Sequence, residues 1–202
     1  MKKHTIAVRV IHVAIATAMF ASASDAQYFG RNKVQYERFK FEILRTPHFD
    51  VHYYASEKPA VEDASRMLER WNERLSLLFN HPLSARKPIV LYADQPDFQQ
   101  TNVIADQLDE GTGGVTESLL DRMTMPFTGS YAENDHILGH EMVHVFQYDI
   151  ASTKASSGAS LERLPLWLVE GMAEYLSLGP QDAHTAMWLR DAVLRDDLPT
   201  IK

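Results

Sequence analysis

Two stretches decide how this chain is read: His140-Glu141-Met142-Val143-His144 and, further along, Trp167-Leu168-Val169-Glu170-Gly171-Met172-Ala173-Glu174-Tyr175. Ahead of the first, Ser130-Tyr131-Ala132-Glu133 has the Ser-x-x-Glu form of a capping box. Ile137, Leu138, Val143 and Phe146 then recur at helical spacing, which predicts a helix from near Tyr131 to Asp149. At about 100° per residue His140 and His144 sit only about 40° apart, one turn along, so their imidazoles can converge on one ion at about 2.1 Å from each. Glu141 lies about 100° round from His140, beside that ion but not aimed at it, which suits a base for metal-bound water. His136 precedes His140 by a further turn. From His136 to His144 the helix rises about 12 Å, too far for three ligands on one ion, so at most two ligate. The Glu after His140 selects the later pair.

By composition a His-Glu-x-x-His string arises by chance about once in 40 such sequences, so the second stretch carries much of the argument. Ala151 to Ser160, rich in Ala, Ser, Thr and Gly, reads as a loop, and Pro165 makes a good first residue for the helix after it. Glu170 and Glu174 share one face of that mostly apolar helix. Two carboxylates buried there, with no Lys or Arg in the segment, would be costly, and a cation removes the cost. Glu170 is therefore the third ligand, and Glu174, one turn on, is placed to accept the outer N–H of a ligating histidine. The competing interpretation is a solvated acidic stripe.

Composition agrees with an ion held by nitrogen and oxygen. The chain has 202 residues and no cysteine, which removes disulfides, thiolate zinc sites, iron–sulfur clusters and cysteine nucleophiles. Apolar residues at 45% and charged residues at 23% exclude a disordered chain and a multi-span membrane protein. A net charge of −7 argues against a nucleic-acid partner.

Residues 1–26 read as a signal peptide: Lys2, Lys3 and Arg9, an apolar run from Val10 to Phe20, then small residues up to a cleavage point after Ala26. An uncleaved anchor or a buried helix is the alternative, because His12 interrupts the run. Removal takes the net charge from −7 to −9 and leaves residues 27–202 as one exported domain with no membrane span. The expected location is periplasmic, outer-membrane-associated or secreted.

Within that domain Phe39 to Leu44 and Phe49 to Tyr54 alternate as a hairpin about Thr46-Pro47. His48 and His52 lie opposite the apolar set of the second strand and read as a solvated strand face. Pro59 to Phe79 carries Val61, Ala64, Leu68, Trp71, Leu75 and Leu78 at helical spacing, with Trp71 in the core. Lys87 to Tyr92 reads as a buried strand and Asp97 to Val103 as a short helix. Gly111-Thr112-Gly113-Gly114 reads as a turn or bulge, because it lacks the Lys-Ser/Thr of a phosphate loop. Val115 to Leu119 and Arg122 to Phe127 read as paired strands, with Pro126 suiting an edge. Asp182 to Arg195 reads as a helix with His184 on its surface.

The two quoted stretches resemble those of the gluzincin metallopeptidases, the zincin group whose third ligand is Glu. The similarity extends over Gly113-Gly114-Val115-Thr116-Glu117 and the stretch from Tyr36 to Tyr54, and so over most of residues 27–202. It is nearest to the peptidase-MA-like domains at the head of exported bacterial proteins that continue into TolB-like β-propellers. The resemblance implies an α+β zincin-like fold: a small mixed sheet, an edge strand above the His-Glu-x-x-His helix, and a following Glu-bearing helix. It implies zinc on His140, His144 and Glu170, with Glu141 as base and the Gly114 to Ser118 strand as the edge along which a peptide or protein substrate lies. No propeller repeat follows, and the family's later helices are missing after Leu198-Pro199-Thr200-Ile201-Lys202, so the expectation is a domain incomplete at its C-terminus, with a propeller in a longer form. The Tyr or His that gluzincins place downstream as electrophile has Tyr175 and His184 as candidates. The expected activity is zinc-dependent peptide hydrolysis. The alternative is a zinc-stabilised, non-catalytic binding module of the cell envelope.

Overall fold

The computed structural model describes residues 37–101, 108, 111–118, 120–154 and 161–198. The signal segment and residues 155–160 of the expected loop lie outside these. Among the described residues no helix is long and apolar enough to cross a membrane.

Five strands form one mixed sheet: β1 (Phe41–Arg45), β2 (Phe49–Tyr54), β3 (Lys87–Tyr92), β4 (Val115–Glu117) and β5 (Arg122–Pro126), in the order β1-β2-β3-β5-β4. The hairpin is present, with β1 antiparallel to β2 and Thr46 closing onto Phe49. β2 and β3 pair in parallel, as do β3 and β5, while β4 runs antiparallel to β5 along the outer edge. Period-two alternation sends Phe49, Val51 and Tyr53 of β2, Ile89 and Leu91 of β3, and Met123 and Met125 of β5 into one core.

That core is roofed by α1 (Lys58–Phe79) and α3 (Tyr131–Thr153), which cross each other over the same sheet face. α1 buries Val61, Ala64, Leu68, Trp71 and Leu75, as its periodicity requires, and ends at Asn80 in the left-handed conformation. Leu78, read as part of the buried stripe, is exposed, and its neighbour Phe79 packs against the core in its place, stacked on Phe146. Trp71 meets α3 at Gly139, where an added Cβ would lie 2.5 Å from the indole ring, so only glycine lets the helices approach this closely. The Trp71 indole N–H donates to the Asp135 carbonyl and carboxylate, satisfying its polar edge.

Several sequence expectations shift. Phe41 and Ile43 face away from the helices, because their register partners Tyr54 and His52 alternate with the core-facing residues of β2. Phe39, Phe41, Tyr54, Tyr92 and Phe98 instead form an aromatic cluster on the opposite sheet face. β5 is an inner strand, not an edge; Pro126 is tolerated at its end because β4 pairs only as far as Thr124. The short helix α2 spans Gln95–Gln99, capped by Asp94, rather than starting at Asp97. α3 runs on to Thr153, with the Ser152 and Thr153 hydroxyls bonded to the Asp149 and Ile150 carbonyls in the last turn. His48 does not sit alone on a solvated face: its Nδ1 is 2.7 Å from Glu69 Oε2 of α1.

α4 (Leu166–Leu178) leans on α3 and starts after Pro165, which is the cap residue rather than the first helical one. α5 (Ala183–Leu194) is capped by Asp182 and buries no residue.

Candidate metal centre

α3 and α4 face each other across a cleft of about 520 Å³, whose third wall is the chain from Gly111 through Thr116. The capping box forms in part, with Ser130 accepting the Glu133 amide, and so sets the start of α3. The helical period then brings His140 Nε2 and His144 Nε2 to 3.2 Å. Glu170 Oε2 from α4 lies 3.4 Å from His140 Nε2 and 3.3 Å from His144 Nε2. These three atoms form a nearly equilateral triangle.

The protons of both rings are directed away from that triangle. His140 Nδ1 lies 3.1 Å from Glu174 Oε2, a carboxylate that accepts only. His144 Nδ1 lies 2.8 Å from Gln147 Oε1, and the Gln147 amide is oriented because its Nε2 donates to the Val169 carbonyl of α4. With the proton of each ring on Nδ1, both Nε2 lone pairs face each other and the Glu170 carboxylate. Two lone pairs and an anion aimed at one point, with no donor between them, repel each other unless a cation sits there. The edges of 3.2, 3.3 and 3.4 Å fit a tetrahedral ion with ligands at about 2.1 Å. The donor set thus fits a zinc ion, and two nitrogens with one carboxylate leave a coordination position for water or substrate.

Glu141, on the same helix, points to the cleft wall rather than to the triangle. Its side chain is buried and accepts a 2.6 Å hydrogen bond from the Thr116 hydroxyl. Burial pushes its carboxyl above the ordinary carboxylate range, against the opposing pull of Thr116 and the two histidines. The glycine-dense segment has a specific task here. A Cβ at Gly114 would lie 2.8 Å from Glu141 Cγ, so glycine lets the chain entering β4 pass directly over the carboxylate.

The sequence placed His140, Glu141, His144, Glu170 and Glu174 together, and the structure brings all five to one cleft. The argument that Glu170 and Glu174 are buried fails: their side chains are 48% and 45% exposed, because α4 covers α3 along one side only. Glu174 instead faces the Nδ1 of His140, and Glu170 faces the Nε2 atoms of His140 and His144 across the cleft. Tyr175 and His184, the downstream electrophile candidates, are exposed and are not among the described residues lining the cleft. Tyr148 is, one turn after His144; burial, then Glu170 and Glu141, raise its hydroxyl above the usual phenol range and keep it protonated.

Gln147, Thr116 and Tyr148 had no assigned role from sequence. Spacing held a signal for two of them, since Gln147 and Tyr148 stand three and four residues after His144 on the same helix face. Thr116 held none, because its partner is 25 residues away.

No curated protein and no solved structure matches the chain. Residues 59–196, which contain every side chain of the cleft, match the family model described as "Peptidase of plants and bacteria" (BSP), and the chain belongs to that family.

Proposed function

We propose that the protein is a zinc-dependent metallopeptidase of the gluzincin type, with a zincin-like fold, that hydrolyses peptide bonds outside the cytoplasm. The observation that carries this reading is the triangle of His140 Nε2, His144 Nε2 and Glu170 Oε2 with the Glu141 carboxylate beside it. Those three residues would hold the ion. Zinc bound there would supply Lewis acidity, making water acidic enough to ionise near neutral pH and polarising a peptide carbonyl.

The chain's own groups supply the remaining chemistry. Glu141 takes the proton of the attacking water and passes it to the leaving amine. Thr116 holds the Glu141 Oε2 oxygen, leaving Oε1 to exchange the proton. Glu174 and Gln147 fix the two imidazole tautomers. Tyr148 brings a protonated hydroxyl into the cleft, a donor for charge that grows on the carbonyl oxygen as the tetrahedral intermediate forms. Among the described residues no strand pairs with the outer edge of β4, so an extended peptide can add to it as a further strand and lie across the cleft. Action outside the cytoplasm rests on the signal-like residues 1–26.

Replacing Glu141 with Gln tests the mechanism. The Glu141→Gln chain should bind one zinc ion as the wild type does, while cleavage of an unstructured protein substrate falls by about 10² to 10⁴. Undiminished cleavage would refute the role of Glu141. Zinc at one per chain without chelator-sensitive cleavage in the wild type would favour the non-catalytic binding module instead.

A further inference from the structure

The outer face of His140 carries a second convergence of donors. Glu174 Oε2 stands 3.1 Å from His140 Nδ1 and 3.2 Å from His136 Nε2, and the donor atoms of the three residues lie within 4.8 Å of one another. α3 and α4 thus face each other in two rungs one turn apart: His140 and His144 across from Glu170, then His136 and His140 across from Glu174. The 12 Å helical rise that keeps His136 from the inner ion brings it to the outer rung.

We propose that His136 and Glu174 form a second divalent-cation site, weaker than the inner one, that zinc fills once His140, His144 and Glu170 are loaded. This rests on the reading of the inner triangle as a zinc site. The 3.2 Å contact between His136 Nε2 and Glu174 Oε2 has about the length of a tetrahedral edge for ligands at about 2.1 Å. The His136 and Glu174 side chains are 30% and 45% exposed, so water can complete the coordination. No Lys or Arg is among the described residues lining the cleft, whereas Glu141, Glu170 and Glu174 are, so a second cation meets net negative charge. The outer site is the weaker because only His136 Nε2 and the Glu174 carboxylate are free to ligate while the inner site is filled. His140 then uses Nε2 inwardly, and its Nδ1 is engaged 3.1 Å from Glu174 Oε2.

Equilibrium dialysis of the full chain against zinc chloride, with bound metal counted by atomic emission, separates the two sites. The wild type should take up one zinc tightly and a second at higher free zinc. His136→Ala, and His136→Gln, which retains a polar side chain of similar length, should each lose the second step and leave the first within about threefold. Glu170→Ala should weaken the tight step at least tenfold and retain the weak one. A single step in the wild type, or a second step that survives both His136 substitutions, overturns the outer site. A tight step unmoved in Glu170→Ala overturns the inner reading, which is a different failure.

Discussion

At the scale of single residues, Gly114 and Tyr148 test how finely the cleft is set. Gly114 is not in the left-handed conformation, so alanine is admissible to the chain there, but its Cβ would press within 2.8 Å of Glu141 Cγ and 3.0 Å of Oε1. The carboxylate must shift off Thr116. Gly114→Ala should therefore lower kcat at least tenfold while costing only about 1–2 kcal/mol of stability, read by steady-state kinetics and urea unfolding. Equal losses of activity in a generally unfolded protein would point to a structural role alone. Tyr148→Phe removes one hydroxyl and leaves the ring. It should lower kcat by about 10- to 10³-fold with zinc content unchanged, and an unaltered kcat would remove Tyr148 from the reaction. The positions of His140, Glu141 and His144 were legible in sequence because one helix relates them by a fixed rotation. The resemblance set the Gly114 to Ser118 strand beside the site, but the contacts of Thr116 and Gly114 with Glu141 were not legible, because Glu141 belongs to another element.

At the scale of elements, the site depends on how α3 and α4 are held in register. Gln147 spans the gap: Oε1 receives His144 Nδ1–H and Nε2 donates to Val169, the residue before Glu170. One amide thus orients His144 on α3 and ties down the backbone that carries Glu170 on α4. Gln147→Leu keeps the bulk and deletes both bonds. It should weaken zinc binding by about 10- to 100-fold, measured by competition with a chromogenic chelator, and unchanged affinity would show that packing alone sets the register. Helix periodicity predicted α1 and α3 well, since Val61, Leu68 and Leu75, or Leu138, Val143 and Phe146, each line one face and are buried. Strand alternation served less well in β1. Its apolar positions were read correctly, but which sheet face they occupy is decided by pairing with β2, and Phe41 and Ile43 follow Tyr54 and His52 away from the helices.

At the scale of the whole molecule, the C-terminal half of α3 is moored to the sheet by a buried charge cluster. Asp149 is fully buried; Oδ1 accepts from Lys87 Nζ at 2.6 Å and from the Ser84 hydroxyl at 2.5 Å, and Oδ2 lies 2.7 Å from His81 Nε2. Lys87, itself almost wholly buried at the start of β3, also reaches Asp121. Burial alone would raise the Asp149 pKa, but Lys87, Ser84 and His81 overcome it and hold the carboxyl at about 2, below its ordinary 3.8. A carboxyl with a depressed folded-state pKa stabilises the fold fully above the unfolded value and loses that contribution as pH falls through the folded one. Thermal melts of the wild type should thus lose stability between about pH 4 and pH 2. Asp149→Asn should be less stable by about 3 kcal/mol at neutral pH and show a flatter decline over that window. An equally steep decline would place the acid sensitivity elsewhere. Sequence by itself determined what is local: the start of α3 at its Ser130 cap, the spacing of His140, Glu141 and His144 along one helix, and the absence of any thiolate ligand. Only the tertiary structure decided the contacts that join distant segments: Gln147 on the Val169 carbonyl, Thr116 on Glu141, and Lys87 under Asp149. The physical reason is that a helix repeats its own geometry every turn, whereas a hydrogen bond or ion pair between elements exists only after the core has packed them together.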